Sequence, residues 1–127
     1  MKDILTMVKH FHDAFGQKYS NIPCHLPKNE AQLRYSLMVE ENDEYLEAAK
    51  NNDLVGIADA LGDQLYILSG TIIKHGLQNL IEDVFKEIHS SNMSKLGADG
   101  KPILREDGKI IKGPSYRKPN LSFVNKK

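Results

Sequence analysis

The sequence predicts an all-α fold: a bundle of four helices, then a small β-hairpin and an extended tail. Three observations predict it. Apolar residues recur three or four positions apart through most of residues 3–95. The breaks between those stretches hold Gly, Pro, Asn or Asp, which start and stop helices. After Gly97 the helical period is lost, and two short apolar pairs flank Asp107-Gly108.

Each element has its own signature. In residues 3–15, Ile4, Val8, Phe11 and Phe15 fall on one face, and Asp3 is placed to cap the start. Gly16 to Lys28 contains Gly16, Pro23 and Pro27 and reads as a connection. A second helix covers 30–50, opened by Asn29 and closed near Asn51-Asn52, with Leu33, Leu37 and Ala48 inward. Asp53 caps a third helix, which runs to about His75 and stops at Gly76. Leu77, Leu80, Val84 and Ile88 mark a fourth, ending near Lys95. Ile103-Leu104 and Ile110-Ile111 are the hairpin arms, because Asp-Gly suits a tight turn.

Composition narrows the function. The 127 residues carry 17 Lys+Arg and 17 Asp+Glu, so a uniformly basic nucleic-acid surface is excluded. Hydrophobic residues are 40%, too many for a disordered chain. The one cysteine, Cys24, allows no intrachain disulfide and no all-cysteine metal site, and it fits a reducing, cytoplasmic compartment. No secretory signal is expected, since Lys2, Asp3, Lys9 and Asp13 interrupt the first apolar residues. The longest apolar run, Leu54 to Ile73, contains Asp59, Asp63 and Gln64. One Asp near a bilayer centre costs about 3 kcal/mol, which argues against a membrane span.

The third helix carries the first chemical signal. Leu54, Ile57, Leu61, Leu65, Leu68 and Ile72 share one face, and Asp59, Asp63, Tyr66 and Gly70 share the opposite one. No Lys or Arg accompanies the two acids. Both faces are therefore expected to be covered, with the acids looking into a cleft or a subunit interface. On the second helix Glu40, Glu41 and Glu44 fall within about 50° of Leu37 and point inward. Asp43 and Glu47 point out.

Inward carboxylates are costly unless paired or metal-bound, and Arg34 is the one nearby cation on that side. Carboxylate oxygens are hard ligands, which suit Mg²⁺ or Mn²⁺ rather than zinc. Glu41 and Glu44 are spaced i, i+3, and Asp59 and Asp63 i, i+4, so each pair can reach one ion. Glu-Glu-x-x-Glu alone is usually a solvated helix face. It is the further pair of acids in an otherwise apolar helix that points to a metal.

These residues resemble the all-α nucleoside triphosphate pyrophosphohydrolases, the MazG-like superfamily that includes phosphoribosyl-ATP pyrophosphohydrolase and the dimeric dUTPases. The likeness begins with Phe11-His12-x-x-Phe15-Gly16 and Arg34 and continues through Glu40-Glu41-x-x-Glu44. It takes in Asp59-Ala60-Leu61-Gly62-Asp63-x-x-Tyr66 and Ser91-Asn92-x-Ser94-Lys95. It closes with Gly108-Lys109-x-x-Lys112-Gly113-Pro114-x-Tyr116, which is similar to the tail of a phage and bacterial branch.

The resemblance implies a four- to five-helix bundle of the all-α NTP pyrophosphatase type. Residues 1–97 would be the helical catalytic domain, and 98–127 a hairpin and tail packed on it or on a partner subunit. It implies Mg²⁺-dependent hydrolysis of a nucleoside triphosphate between the α and β phosphates, giving a nucleoside monophosphate and pyrophosphate. By position, Glu41, Glu44 and Asp63 match the family's metal ligands. The family's second motif is Glu-x-x-Asp, whereas residue 60 here is Ala and the acid stands at Asp59. Asp59 shares a face with Asp63 and stays a candidate ligand.

Either Glu40 or Glu41 would take the proton of the attacking water. Arg34, Tyr66, Asn92, Lys95, Lys109, Lys112 and Tyr116 are the candidates for holding the substrate. Lys95 has a second reading as dipole compensation at a helix end, and Tyr66 as a packing residue. His12 reads as a packed histidine. A homodimer or homotetramer is implied. Two alternatives stand beside this reading: phosphoribosyl-ATP as substrate, and a non-enzymatic helical protein whose acidic cleft receives a basic partner. A di-iron bundle is disfavoured, because no His follows a Glu by three residues.

Overall fold

Four helices, α1 (Lys2–Ala14), α2 (Lys28–Lys50), α3 (Leu54–Lys74) and α4 (Ile81–Met93), precede two short strands, β1 (Ile103–Leu104) and β2 (Ile110–Ile111). A single 3₁₀ turn, Ser122–Asn125, follows them. The computed structural model describes residues 1–125. The all-α class and the hairpin are as the sequence predicts. No described helix is long and apolar enough to cross a membrane. The chain divides into two compact units, Met1–Asn79 and Leu80–Lys127.

The helix ends follow local chemistry, with three corrections. Asp53 caps α3 as expected, its side chain accepting from the Gly56 N–H at 3.0 Å. Gly76, at φ 69°, ends it. Asp3 is not the cap of α1; the first helical bond runs from Leu5 N–H to Met1 C=O. Asp3 lies in the first turn instead, where its charge faces the positive end of the helix dipole. α2 starts at Lys28 behind Pro27, so Asn29 lies inside the helix. α4 starts only at Ile81, which leaves Leu77 in the connection and Leu80 as the capping residue, and it stops at Met93.

The first unit is built on an antiparallel seam between α2 and α3. On α2, Arg34 and Ala48 are buried and Glu41 is half-buried. These three are seven residues apart, a spacing that keeps one narrow stripe against a neighbouring helix. On α3 the partners are also seven apart. Arg34 meets Gly70, Glu41 meets Asp63, and Ala48 meets Gly56. A Cβ at Gly56 would stand 3.1 Å from the Ala48 Cβ. Small residues at both ends of the seam let the two backbones approach. α1 lies along α3, with the Phe11 ring edge-on to Tyr66 at 5.6 Å between centroids. Leu5, Val8, Ala60, Ile72 and Ile73 complete the buried apolar set.

This seam corrects two expectations about faces. The apolar spacing predicts Leu33 inward on α2, yet it is 56% exposed while Arg34 is 8% exposed. At this end of α2 Arg34 takes the inward place, because its guanidinium finds partners on α3 that a leucine could not use, while Ala48 is buried as expected. On α3 the sequence suggests that both faces are covered. Within one chain the small residues Ala60, Ser69 and Gly70 are buried, together with Ile72 and Ile73 near the helix end. Leu54, Leu61, Leu65 and Leu68 remain exposed, Leu54 by 77%.

The second unit joins α4 to the hairpin and tail. Ile103 pairs with Ile111 and Leu104 with Ile110, antiparallel, around the predicted Asp107-Gly108 turn. Gly108 takes φ 84°, and Asp107 accepts from the Lys109 N–H at 3.0 Å and from the Arg105 guanidinium. Gly113 donates its N–H to the Lys95 carbonyl at 2.8 Å, and its missing Cβ leaves room for the Leu96 carbonyl. Beyond it, Arg117 straps the tail to α4. Its guanidinium donates to Glu87 at 2.7 Å and to Ser90, its carbonyl accepts from Ser91, and its N–H donates to Ser94.

Candidate metal centre

Three carboxylates meet across the middle of the α2–α3 seam. Glu41 and Glu44 come from consecutive turns of α2, and Asp63 from α3. One oxygen from each lies within 4.8 Å of the other two. Among the described residues, no Lys or Arg forms an ion pair with any of them. The Glu41 oxygen Oε2 is buried without a hydrogen-bond partner. An acid in that position resists ionisation. Burial pushes the Glu41 carboxyl up to about 7, helped by the neighbouring carboxylates Glu44, Asp63 and Glu40.

The other sequence-derived candidates fall into separate places. Asp59, one turn before Asp63 on α3, is exposed and is not among the three carboxylates that meet. Residue 60, where the family motif has Glu, is the buried Ala60. Glu40 is exposed beside Glu41. Arg34 spends its guanidinium on α3, donating to Thr71 Oγ1 at 3.0 Å and to the Ile67 carbonyl at 2.9 Å. It is thus a tie between helices, and burial pulls its pKa down from the usual guanidinium value. Tyr66 packs perpendicular to the Phe11 ring and is otherwise partly exposed. His12 is 2% exposed, a packed histidine as its sequence position suggests.

The cationic candidates gather within the second unit. Asn92 lies in the last turn of α4, and Lys95 follows the helix rather than continuing it. The bond from Gly113 to the Lys95 carbonyl brings the tail against that point. Lys112 lies over the Tyr116 ring, 4.7 Å from its centroid. Lys109 sits at the foot of the hairpin, its carbonyl closing the turn by accepting from Arg105 N–H.

Two features escaped the sequence reading. Arg117 has no periodic or motif signal, and its role as a strap exists only once α4 is in place. Gln64 donates from Nε2 to Asn42 Oδ1 at 2.8 Å, a second cross-helix bond beside the acids. Its one sequence trace is positional: each residue immediately follows one of the meeting carboxylates.

Comparison with known proteins decides the family. The sequence profile of the phosphoribosyl-ATP pyrophosphohydrolases matches residues 8–92. The chain belongs to the phosphoribosyl-ATP pyrophosphohydrolase family. It is a hydrolase of phosphoric anhydrides, a pyrophosphohydrolase in the general sense. The family match takes in all three meeting carboxylates and ends before Lys95 and the hairpin. Among solved structures, the pyrophosphohydrolase chain is similar to a candidate NTP pyrophosphohydrolase from Exiguobacterium sp. 255-15. The two are 26% identical with a TM-score of 0.50, over 91% of this chain and 88% of that one. No curated protein matches this chain by sequence.

Proposed function

We propose that this chain is a Mg²⁺-dependent nucleoside triphosphate pyrophosphohydrolase that cleaves the α–β phosphate bond to give a nucleoside monophosphate and pyrophosphate. The observation that carries the proposal is the group formed by Glu41, Glu44 and Asp63 around an unpartnered, buried carboxylate oxygen. Three carboxylates held this close, with no Lys or Arg paired to them among the described residues, would be stabilised by a divalent ion. The donor set is all oxygen, which suits Mg²⁺ or Mn²⁺. The 4.8 Å spread of the oxygens compares with about 4 Å across a Mg²⁺ coordination sphere. Glu41, Glu44 and Asp63 would hold the ion, with Asp59 as an outer candidate.

When bound, the ion offsets the charge of a polyphosphate and lowers the pKa of water. The chain's own residues supply the rest. Glu41 has a buried oxygen with no hydrogen-bond partner, and a bound cation would draw its carboxyl down and leave that oxygen able to take a proton. Glu41, or Glu40 beside it, accepts a proton from the attacking water. The water oxygen then forms the new P–O bond, and the bridging α–β P–O bond breaks to release pyrophosphate. We further propose Asn92, Lys95, Lys109, Lys112 and Tyr116 as groups for the outer phosphates, and Tyr66 as a surface for the base.

The proposal includes a homodimer or homotetramer, supported by the uncovered leucine face of α3. It also includes a cytoplasmic setting, supported by the free, exposed Cys24. Phosphoribosyl-ATP is the second substrate reading, favoured by the description of the matching family.

Pyrophosphate release from a dNTP panel and from phosphoribosyl-ATP, with and without Mg²⁺, tests both readings. Activity should require Mg²⁺ and fall at least about 100-fold in Glu44→Ala and in Asp63→Ala. Full activity in both folded variants would refute the site.

A further inference from the structure

We infer that Asn42 and Gln64 are positioning residues, a polar clamp that sets the spacing of the carboxylates on either side of the α2–α3 seam. The inference rests on the metal-binding reading of Glu41, Glu44 and Asp63. Gln64 Nε2 donates to Asn42 Oδ1 at 2.8 Å, across the same two helices. Asn42 directly follows Glu41 and lies two residues before Glu44; Gln64 directly follows Asp63.

The repulsion among the acids gives the clamp something to oppose. Without an ion, the three carboxylates push α2 and α3 apart at that level. The nearest ties elsewhere on the seam are Arg34 with Thr71 and Ile67, one helical turn and more from Asp63 along α3. The contact of Ala48 with Gly56 at the other end is apolar and directionless. Asn42 with Gln64 is therefore the directed bond closest to the acids. Both side chains are neutral amides, which bond to each other without adding charge or competing for the cation as a carboxylate would. A leucine at either position would fill space but hold no distance.

The test is Mn²⁺ binding to the full chain, followed by calorimetry with MnCl₂ alone, in Asn42→Ala, Gln64→Ala and the double variant. Each single change should weaken Mn²⁺ binding by about three- to tenfold, the worth of one partly exposed hydrogen bond. The double variant should lose no more than either single, because one bond is being removed twice. The exchange pair Asn42→Gln with Gln64→Asn keeps the combined reach and should recover most of the affinity. Metal-free melting temperature is read in parallel and should fall by up to about 4 °C in each single variant, since the same bond opposes the repulsion in the metal-free chain.

Unchanged Mn²⁺ affinity in both singles, or losses that multiply in the double, would overturn the clamp while leaving the metal site standing. A wild-type chain that binds no Mn²⁺ removes the metal reading and the clamp with it.

Discussion

Two glycine-to-alanine changes in the same helix should act in opposite directions. In a helix interior, Gly→Ala gains about 1 kcal/mol from the backbone entropy of the unfolded chain. At Gly62 no atom lies within 4 Å of the added Cβ, so that gain stands. At Gly70 the added Cβ would stand 2.7 Å from Arg34 Nη2 and 3.2 Å from His12 Nε2. His12 and Arg34 are both buried, so neither side chain swings into water without cost.

The guanidinium must shift off Ile67 C=O or Thr71 Oγ1, and a lost hydrogen bond from a charged group costs about 1.5–3 kcal/mol. Set against the helix gain, Gly70→Ala should be destabilised by about 0.5–2 kcal/mol. For a chain of this size about 1 kcal/mol moves the melting temperature by about 4 °C. Gly62→Ala should thus melt up to about 4 °C higher, and Gly70→Ala about 2–8 °C lower.

The assay is thermal unfolding followed by circular dichroism at one fixed chain concentration, because the proposed assembly would make the midpoint concentration-dependent. Arg34→Ala supplies the control: with the guanidinium gone, adding Gly70→Ala should cost nothing further. A Gly70→Ala chain that melts at or above wild type would refute this account of the seam.

Two further outcomes follow from the titrating groups and the strap. Glu41 is held above its ordinary 4.5, so the metal-free folded chain binds more protons than the unfolded one in that range. Its contribution is full below the unfolded value and lost as pH rises through about 7. Metal-free melting temperature should therefore fall between pH 5 and pH 8 by more in wild type than in Glu41→Gln, and added Mg²⁺ should reverse the fall. Arg117→Ala should loosen the tail on α4 by removing the ties to Glu87 and Ser90 while the backbone bonds to Ser91 and Ser94 remain, raising hydrogen exchange at the residue 117 and Asn120 amides. The same loosening should occur in wild type at acid pH, because the Asn120 N–H and Arg117 hold Glu87 below its usual value and their hold is lost as Glu87 protonates.

What the amino-acid order determined by itself was local. Asp53 before an apolar run makes a cap wherever it occurs, Gly76 ends a helix because it takes a positive φ cheaply, and Asp107-Gly108 turns a hairpin. The acids Glu41, Glu44 and Asp63 were legible too, because carboxylates are conspicuous where a helix otherwise lacks charge.

The tertiary structure decided which of them meet. Asp59 and Asp63 share a helix face, and periodicity alone treats them alike. Only the seven-residue register of α2 on α3 brings Asp63 to Glu41 and leaves Asp59 outside. That register comes from Gly56 and Gly70 accepting Ala48 and Arg34, contacts between residues 8 and 36 positions apart. A helix period specifies rotation about one axis. The sliding and turning of one helix against another is settled by where side chains fit, and that exists only when both are present.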